Sequence, residues 1–234
     1  MKHPEEQYID GTYASQNPSW DSEDSQWKAA HVCSLIEEVS SKPGSICEVG
    51  CGGGGVLAAI HHMLPGVSLS GYDISPGAQP FWEEHDSLKI DFHVGDFLQS
   101  DGSHDIILLL DVLEHVSDPH AFLLEIRRRA PLFIFHFPLD LSSVSVLRES
   151  PLLHVRRKVG HIHYFTKGLA LELLSECGFE VIKSRYTGAA FNTPQPGWKT
   201  KLAQIPRRIA YALNKDFGVR LLGGETLMVL AKPR

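Results

Sequence analysis

The stretch from Ser45 to His61, SICEVGCGGGGVLAAIH, limits what this chain can fold into more than any other. A short apolar run, Ile46 to Val49, meets the unbroken glycines Gly52 to Gly55, and Val56, Leu57, Ala58 and Ile60 then recur at helical spacing. The order is strand, tight turn, helix. Side chains in such a turn would block positive backbone angles and keep a ligand away from the main chain, so glycines fill it. The free amides at the start of the following helix favour polar or anionic ligand groups.

Two ligand fingerprints overlay these residues. Gly50, Gly52 and Gly54 make the G-x-G-x-G of an S-adenosylmethionine site, and Gly50, Gly52 and Gly55 make the G-x-G-x-x-G of a dinucleotide site. The glycines alone leave both open. Beyond them Pro65-Gly66 turns the chain and Val67 to Tyr72 alternates as a second strand, which brings Asp73 to its carboxyl end. In a doubly wound sheet the strand ends form the ligand crevice, so Asp73 is placed to accept both hydroxyls of a ribose. It is also placed to cap a helix beginning near Ser75-Pro76.

Leu88 to Val94 reads as a third strand ahead of Gly95-Asp96-Phe97, where a carboxylate and an aromatic suit the amine and the ring face of adenine. Asp96 equally suits the start of a turn. Ile106 to Leu110 is apolar without alternation, as expected of a central parallel strand covered on both faces, and Asp111, Glu114 and His115 follow it. Asp118-Pro119 opens a helix through Ile126, and Leu132 to Phe137 is a fifth strand with His136 near its end. Pro138 to Phe165 carries Arg148, Arg156, Arg157, Lys158, His154, His161 and His163; too long for a simple connection, it is expected as a substrate lid. Its cations suit a solvated face better than an anionic acceptor. Thr166 caps a helix that places Ala170, Leu173, Leu174 and Cys177 on one face, before a strand from Phe179 to Ile182.

A second insertion, 188–222, starts irregularly from Gly188 to Pro196. It continues as a helix with Leu202, Ile205, Ile209 and Leu213, and leads to a last strand, Thr226 to Ala231, expected to be antiparallel. Lys199, Lys201, Arg207 and Arg208 accompany that apolar stripe in a membrane-surface pattern. Pro206 interrupts it, and packing of the stripe onto the sheet is the expectation. At the other end, residues before Asp24 are polar with Tyr8, Tyr13 and Trp20 among them and read as a loose arm or flap. Val32, Leu35, Ile36 and Val39 place a helix from near Ser25 to Ser40, against the sheet edge.

A length of 234 residues with 43% hydrophobic content supports one α/β domain over 1–234, with 1–44 as arm and first helix and 138–165 and 188–222 as lid-like insertions. A net charge of -6 argues against broad nucleic-acid binding. MKHPEEQYID has no apolar signal core, Ile106 to Leu110 is far too short to span a bilayer, and the four cysteines make no C-x-x-C pair. A cytoplasmic protein with a small-molecule partner, and without stable membrane insertion, is expected.

Taken together, Glu48 to Gly54 (EVGCGGG), Gly71 to Ile74 (GYDI), Gly95 to Phe97 (GDF), Leu110 to Val116 (LDVLEHV) and Gly160 to Thr166 (GHIHYFT) resemble the class I S-adenosylmethionine-dependent methyltransferases. The nearest likeness is to the small-molecule group that includes the ubiquinone-biosynthesis O-methyltransferases. That resemblance implies a Rossmann-like, doubly wound, seven-stranded and mostly parallel sheet, with S-adenosylmethionine as cofactor and S-adenosylhomocysteine as product. It places Gly50, Gly52 and Gly54 along the methionine and ribose portion and Glu48 at the ammonium end. It puts Asp73, followed by Ile74, at the ribose, Asp96 and Phe97 at the adenine, and Asp111 beside the methionine end. GDF and LDVLEHV have no counterpart in the dinucleotide fingerprint, which removes that reading.

Methyl transfer from a sulfonium needs in-line attack by a lone pair, so positioning and exclusion of water carry most of it. A base is required only where the nucleophile has a proton to lose. His115, His136, His161 and His163 are the candidates, His115 first because it follows the central strand, although it equally suits orienting the loop. No metal site is assigned. Oxygen is the expected acceptor atom, with nitrogen, carbon or a protein side chain as alternatives and cofactor binding without turnover as a reading from another class.

Overall fold

The computed structural model describes residues 6–20, 22–39, 42–192 and 198–234, with side chains from residue 204 onward in the last segment. In chain order, helices α1 (Glu6–Ile9), α2 (Thr12–Gln16) and α3 (Ser25–Ile36) precede β1 (Ser45–Val49), α4 (Gly55–Met63), β2 (Ser68–Asp73) and α5 (Gln79–Trp82). Then come β3 (Asp91–Val94), β4 (Ile106–Leu110), α6 (Pro119–Ile126), β5 (Leu132–Pro138), α7 (Ser143–Arg148), α8 (Ser150–Lys158), α9 (Lys167–Glu176) and β6 (Phe179–Tyr186). Helices α10 (Ala189–Asn192), α11 (Trp198–Leu213) and α12 (Lys215–Leu222) lead into β7 (Thr226–Pro233).

All seven strands form one sheet in the order β3-β2-β1-β4-β5-β7-β6. β1 pairs in parallel with β2 on one side and β4 on the other, so the order reverses beside it and a crevice opens at the carboxyl ends of β1 and β4. β7 runs antiparallel to both β5 and β6, as expected for the last strand. All five residues of β4 are buried. Along β5 the side chains alternate: Phe133, Phe135 and Phe137 join one core with Leu123, Leu173 and Phe179, and Ile134 joins the other with Val32, Leu57 and Ile106. Each face of the sheet thus has its own apolar layer, one of them roofed by α3 and α4.

Several boundaries differ from the sequence reading. Helix α3 ends at Ile36 instead of Ser40 and packs on the sheet face, not the edge, because Ala29, Val32 and Leu35 bury against α4 and the central strands. β3 starts at Asp91, since residues 83–88 turn as a 3-10 helix and Lys89 takes a left-handed φ of 56°. The N-terminal arm folds into α1 and α2 and is not a loose segment. The apolar stripe of α11 faces outward, with Ile205, Ile209 and Leu213 exposed. Its sheetward side is held instead by buried Tyr211, whose hydroxyl donates to the Gly223 carbonyl at 2.7 Å. Residues 193–197 of the expected irregular stretch, and the side chains of Lys199, Lys201 and Leu202, lie outside the described residues. Among the described residues no helix is long and apolar enough to cross a membrane.

Candidate active site

At the carboxyl ends of the central strands lies a cavity of about 1530 Å³. One end is made by main chain. Gly50, Gly52 and Gly54 take φ values of 77°, 50° and 79°, and the Gly50 and Cys51 amides donate to the Tyr72 carbonyl at 2.7 and 3.0 Å. Asp73 clamps the turn from the neighbouring strand. One carboxylate oxygen accepts from the Gly52 amide and the other from the Ser75 amide, each at 2.8 Å. Burial raises the Asp73 pKa, against these two amides, which lower it. The glycines divide in purpose: a Cβ at Gly50 would lie 2.7 Å from Val112 and one at Gly54 2.5 Å from the Phe92 ring, whereas Gly52 has 3.4 Å to Trp20.

Three of the expected positions at this end have structural roles as well. Gly54 is not part of the cavity wall; it faces Phe92 and supplies the left-handed residue before α4. Phe97 borders the cavity, with its ring 1% exposed and edge-on to Tyr72 at 5.1 Å. Asp96 borders the cavity but its side chain also accepts from the Leu98 amide at 2.9 Å, which is the turn-starting role. Ile74 is exposed at the cavity wall. Glu48 is 2% exposed, and its Oε2 has no hydrogen-bond partner. Burial pushes its pKa up to about 8, with Lys28 pulling it down and Asp73 and Asp111 adding to the rise.

The other end is made by side chains from distant segments. Asp111, just past β4 with a φ of 56°, lies between Lys28 Nζ at 2.9 Å and His136 Nδ1 at 2.7 Å. Although burial works to raise its pKa, His136 and Lys28 hold it well below the usual carboxylate range. Asp111 is therefore already neutralised by the protein. His136 has its second nitrogen 2.7 Å from Thr226 Oγ1, so both ring nitrogens are engaged and it is poorly placed as a base. His163 lies outside the cavity wall, its Nε2 2.9 Å from the Val116 carbonyl, where it ties the loop.

His115 and His161 do meet in the wall, with ring centroids 4.9 Å apart. His115 Nδ1 is 2.7 Å from Tyr8 Oη and 3.2 Å from the Gly160 carbonyl. Burial, and then His161, lowers its pKa to about 4, so it is neutral at pH 7. His161 Nδ1 lies 2.6 Å from Asp140 Oδ2, and its Nε2 lies 4.0 Å from Glu114 Oε1. Glu114 is fully buried with neither carboxylate oxygen hydrogen-bonded, and its pKa is raised well above normal by burial and by Asp111. Donor atoms of Glu114, His115 and His161 all come within 4.8 Å of one another, close enough to share a proton or an ion.

Over both ends lies the N-terminal arm. Ser75 Oγ donates to the Tyr8 carbonyl at 2.6 Å, Tyr8 Oη reaches His115, and Asn17 Nδ2 donates to the Lys158 carbonyl at 3.4 Å. Trp20 sits over Gly52 and Gly53. Of the expected lid, Pro138, Val159 and His161 reach the cavity, while Arg148, Arg156, Arg157 and Lys158 point to solvent. Sequence reasoning gave no site role to Tyr8, Lys28 or Asp140. Glu114 stands out in sequence by its motif alone, and nothing local signals Tyr8.

Residues 25–184 match the profile of a methyltransferase domain, and the chain belongs to that family. Norajmaline N-methyltransferase of Rauvolfia serpentina is 30% identical over 111 residues, which cover 44% of this chain and 38% of that enzyme. The chain thus spans about two fifths of the length of this relative. Two solved structures share the fold. The methyltransferase bound to the Haloferax volcanii Trm112 activator superposes with a TM-score of 0.66 at 19% identity, covering 97% of this chain and 96% of that one. The plantazolicin methyltransferase BpumL, solved with S-adenosylhomocysteine and a substrate analogue, gives 0.65 at 14% identity, covering 99% and 94%.

Proposed function

We propose that this single domain transfers a methyl group from S-adenosylmethionine to the hydroxyl of a small molecule, with His161 as the base and Asp140 as its positioning residue. The observation that carries this reading is His161 in the wall of the same cavity that the glycine turn and Asp73 close, with Asp140, outside that wall, 2.6 Å from its Nδ1. The residues at the turn fit the cofactor. Glu48 offers a buried carboxylate oxygen without a partner to an ammonium group, Gly52 leaves the main chain approachable, and Asp73 keeps lone pairs for ribose hydroxyls beyond its two amide bonds. When bound, S-adenosylmethionine supplies a methyl group activated by its sulfonium.

The chain's part is orientation and proton transfer. With Nδ1–H donated to Asp140, the Nε2 lone pair of His161 is left to take the hydroxyl proton, the same division of labour as in other carboxylate–histidine pairs. Enclosed His115 stays neutral and orients the wall through Tyr8 and Gly160. Tyr8 and Trp20 of the arm exclude water. A nitrogen acceptor is the second reading, favoured by the activity in the name of the Rauvolfia relative. Four free, buried cysteines suit a reducing compartment such as the cytoplasm.

The test is an acceptor screen with labelled S-adenosylmethionine, beside calorimetric titration of S-adenosylhomocysteine. His161→Asn is expected to lower kcat by roughly 10²- to 10⁴-fold and Asp140→Asn by less, with cofactor affinity unchanged in both. Transfer that survives His161→Asn, or that occurs only on amines, would replace the hydroxyl reading by the nitrogen one. Absence of any S-adenosylhomocysteine binding would remove both.

A further inference from the structure

We propose that the outward face of helices α11 and α12, with α7 beside them, docks onto an anionic membrane surface. Five apolar side chains recur at four-residue intervals across the α11–α12 break: Ile205, Ile209, Leu213, Phe217 and Leu221, exposed by 59%, 61%, 83%, 56% and 37%. Asn214 caps α12 by accepting from the Phe217 amide at 2.9 Å, so the two helices join through a single residue. Gly218 lets them pack tightly, since a Cβ there would lie 2.7 Å from Tyr211 and 3.0 Å from Ala210. α7 touches α12 and adds Val146 and Leu147, exposed by 55% and 85%.

An apolar ridge of this length on the outside of a domain marks a contact surface. Its surroundings decide for what. Helices α7, α8, α11 and α12 carry ten of the chain's 22 Lys and Arg residues and one of its 28 Asp and Glu residues, Asp216, while Glu149 stands between the first two. Asp216 is occupied by Lys167 and the Tyr186 hydroxyl, and Arg148, Arg156, Arg157, Lys158, Arg208 and Arg220 are exposed. In a chain whose net charge is -6, exposed Arg148, Arg208 and Arg220 on the three helices that carry the apolar side chains thus give this face positive charge.

That combination matches the headgroup and acyl boundary of an anionic bilayer, where apolar side chains enter and cations stay with the phosphates. A second copy docked face to face would set these cations against each other. A nucleic acid would meet the charge but not the ridge. This proposal does not depend on the acceptor assigned above.

Co-sedimentation with phosphatidylcholine vesicles, with and without phosphatidylglycerol, tests it on the full chain. Binding is expected to the anionic vesicles, at least about tenfold weaker to neutral ones and in high salt, and reduced by a similar factor in Ile209→Glu/Leu213→Glu. Both positions are exposed; Leu213→Ser serves as a milder variant, and thermal melting followed by circular dichroism checks the fold of each. No binding to anionic vesicles, binding unchanged by salt, or binding unchanged in a folded glutamate variant would overturn the proposal. Reversible self-association in sedimentation velocity that the glutamate variant abolishes, without vesicle binding, would assign the face to a second copy instead.

Discussion

The two ends of the cavity are built by different means. At the glycine turn, hydrogen bonds come from backbone amides, and the main partners, Gly52 and Asp73, are supplied by adjacent βα turns. At the histidine end, side chains bond side chains across the whole chain: Tyr8 to His115, His136 to Thr226, His161 to Asp140 and Lys28 to Asp111. Backbone geometry at the first end follows from strand order and residue type. The second end exists only once the fold has assembled, and its chemistry depends on several rotamers at once.

The largest effect apart from the loss of catalysis expected on removing His161 should come from the first end. Gly54→Val combines a φ of 79° with a Cβ 2.5 Å from Phe92, which should cost about 3 kcal/mol and lower Tm by roughly 10 °C in a thermal melt. A melt unchanged within a few degrees would show that this turn can relax as the other end can.

Next is Glu48. With its pKa raised to about 8 from an ordinary 4.5, the native protein keeps a proton that the unfolded chain has lost between those values. The native state therefore binds more protons there, and stability of the ligand-free protein falls as pH rises through that window, by about 1.4 kcal/mol per pH unit for one group. Buried Asp73 and Glu114 act in the same direction. Glu48→Gln should flatten the slope of denaturant-measured stability by one proton, and a wild-type slope of the opposite sign would contradict the burial argument.

A smaller change tests the other end. Tyr8→Phe removes the hydroxyl at His115 and should cost about 1 kcal/mol, read as a roughly fivefold rise in acceptor KM with kcat less affected. His163→Ala is the smallest: it frees the Val116 carbonyl, should lower stability by at most about 1 kcal/mol, and should leave turnover within roughly twofold. Equal losses of turnover at His161 and His163 would erase the distinction between wall and loop histidines.

Legibility in the sequence follows the same division. The seven strands, the antiparallel β7, the glycine turn and Asp73 are local patterns or short-range consequences of them, and each lies in the segment its pattern marks, although β3 is shorter and β6 runs on to Tyr186. Four histidines near strand ends read alike in sequence, yet His136 is buried within an ion-paired network and His163 bonds a carbonyl, because rotamer and partner separate them. Phe97 reads as a ring cover in GDF and does border the cavity, but how deeply its ring is buried is set by Tyr72, which β2 brings beside it. The stripe of α11 has the period of a packed helix, and period alone does not say which face meets the sheet; Tyr211 and its bond to Gly223 decide it.

The arm crossing the cavity has a mechanical consequence. Tyr8 is joined by its carbonyl to Ser75 beside Asp73 and by its hydroxyl to His115, so one short segment bolts both compartments. A movement of that segment would be felt at both compartments at once.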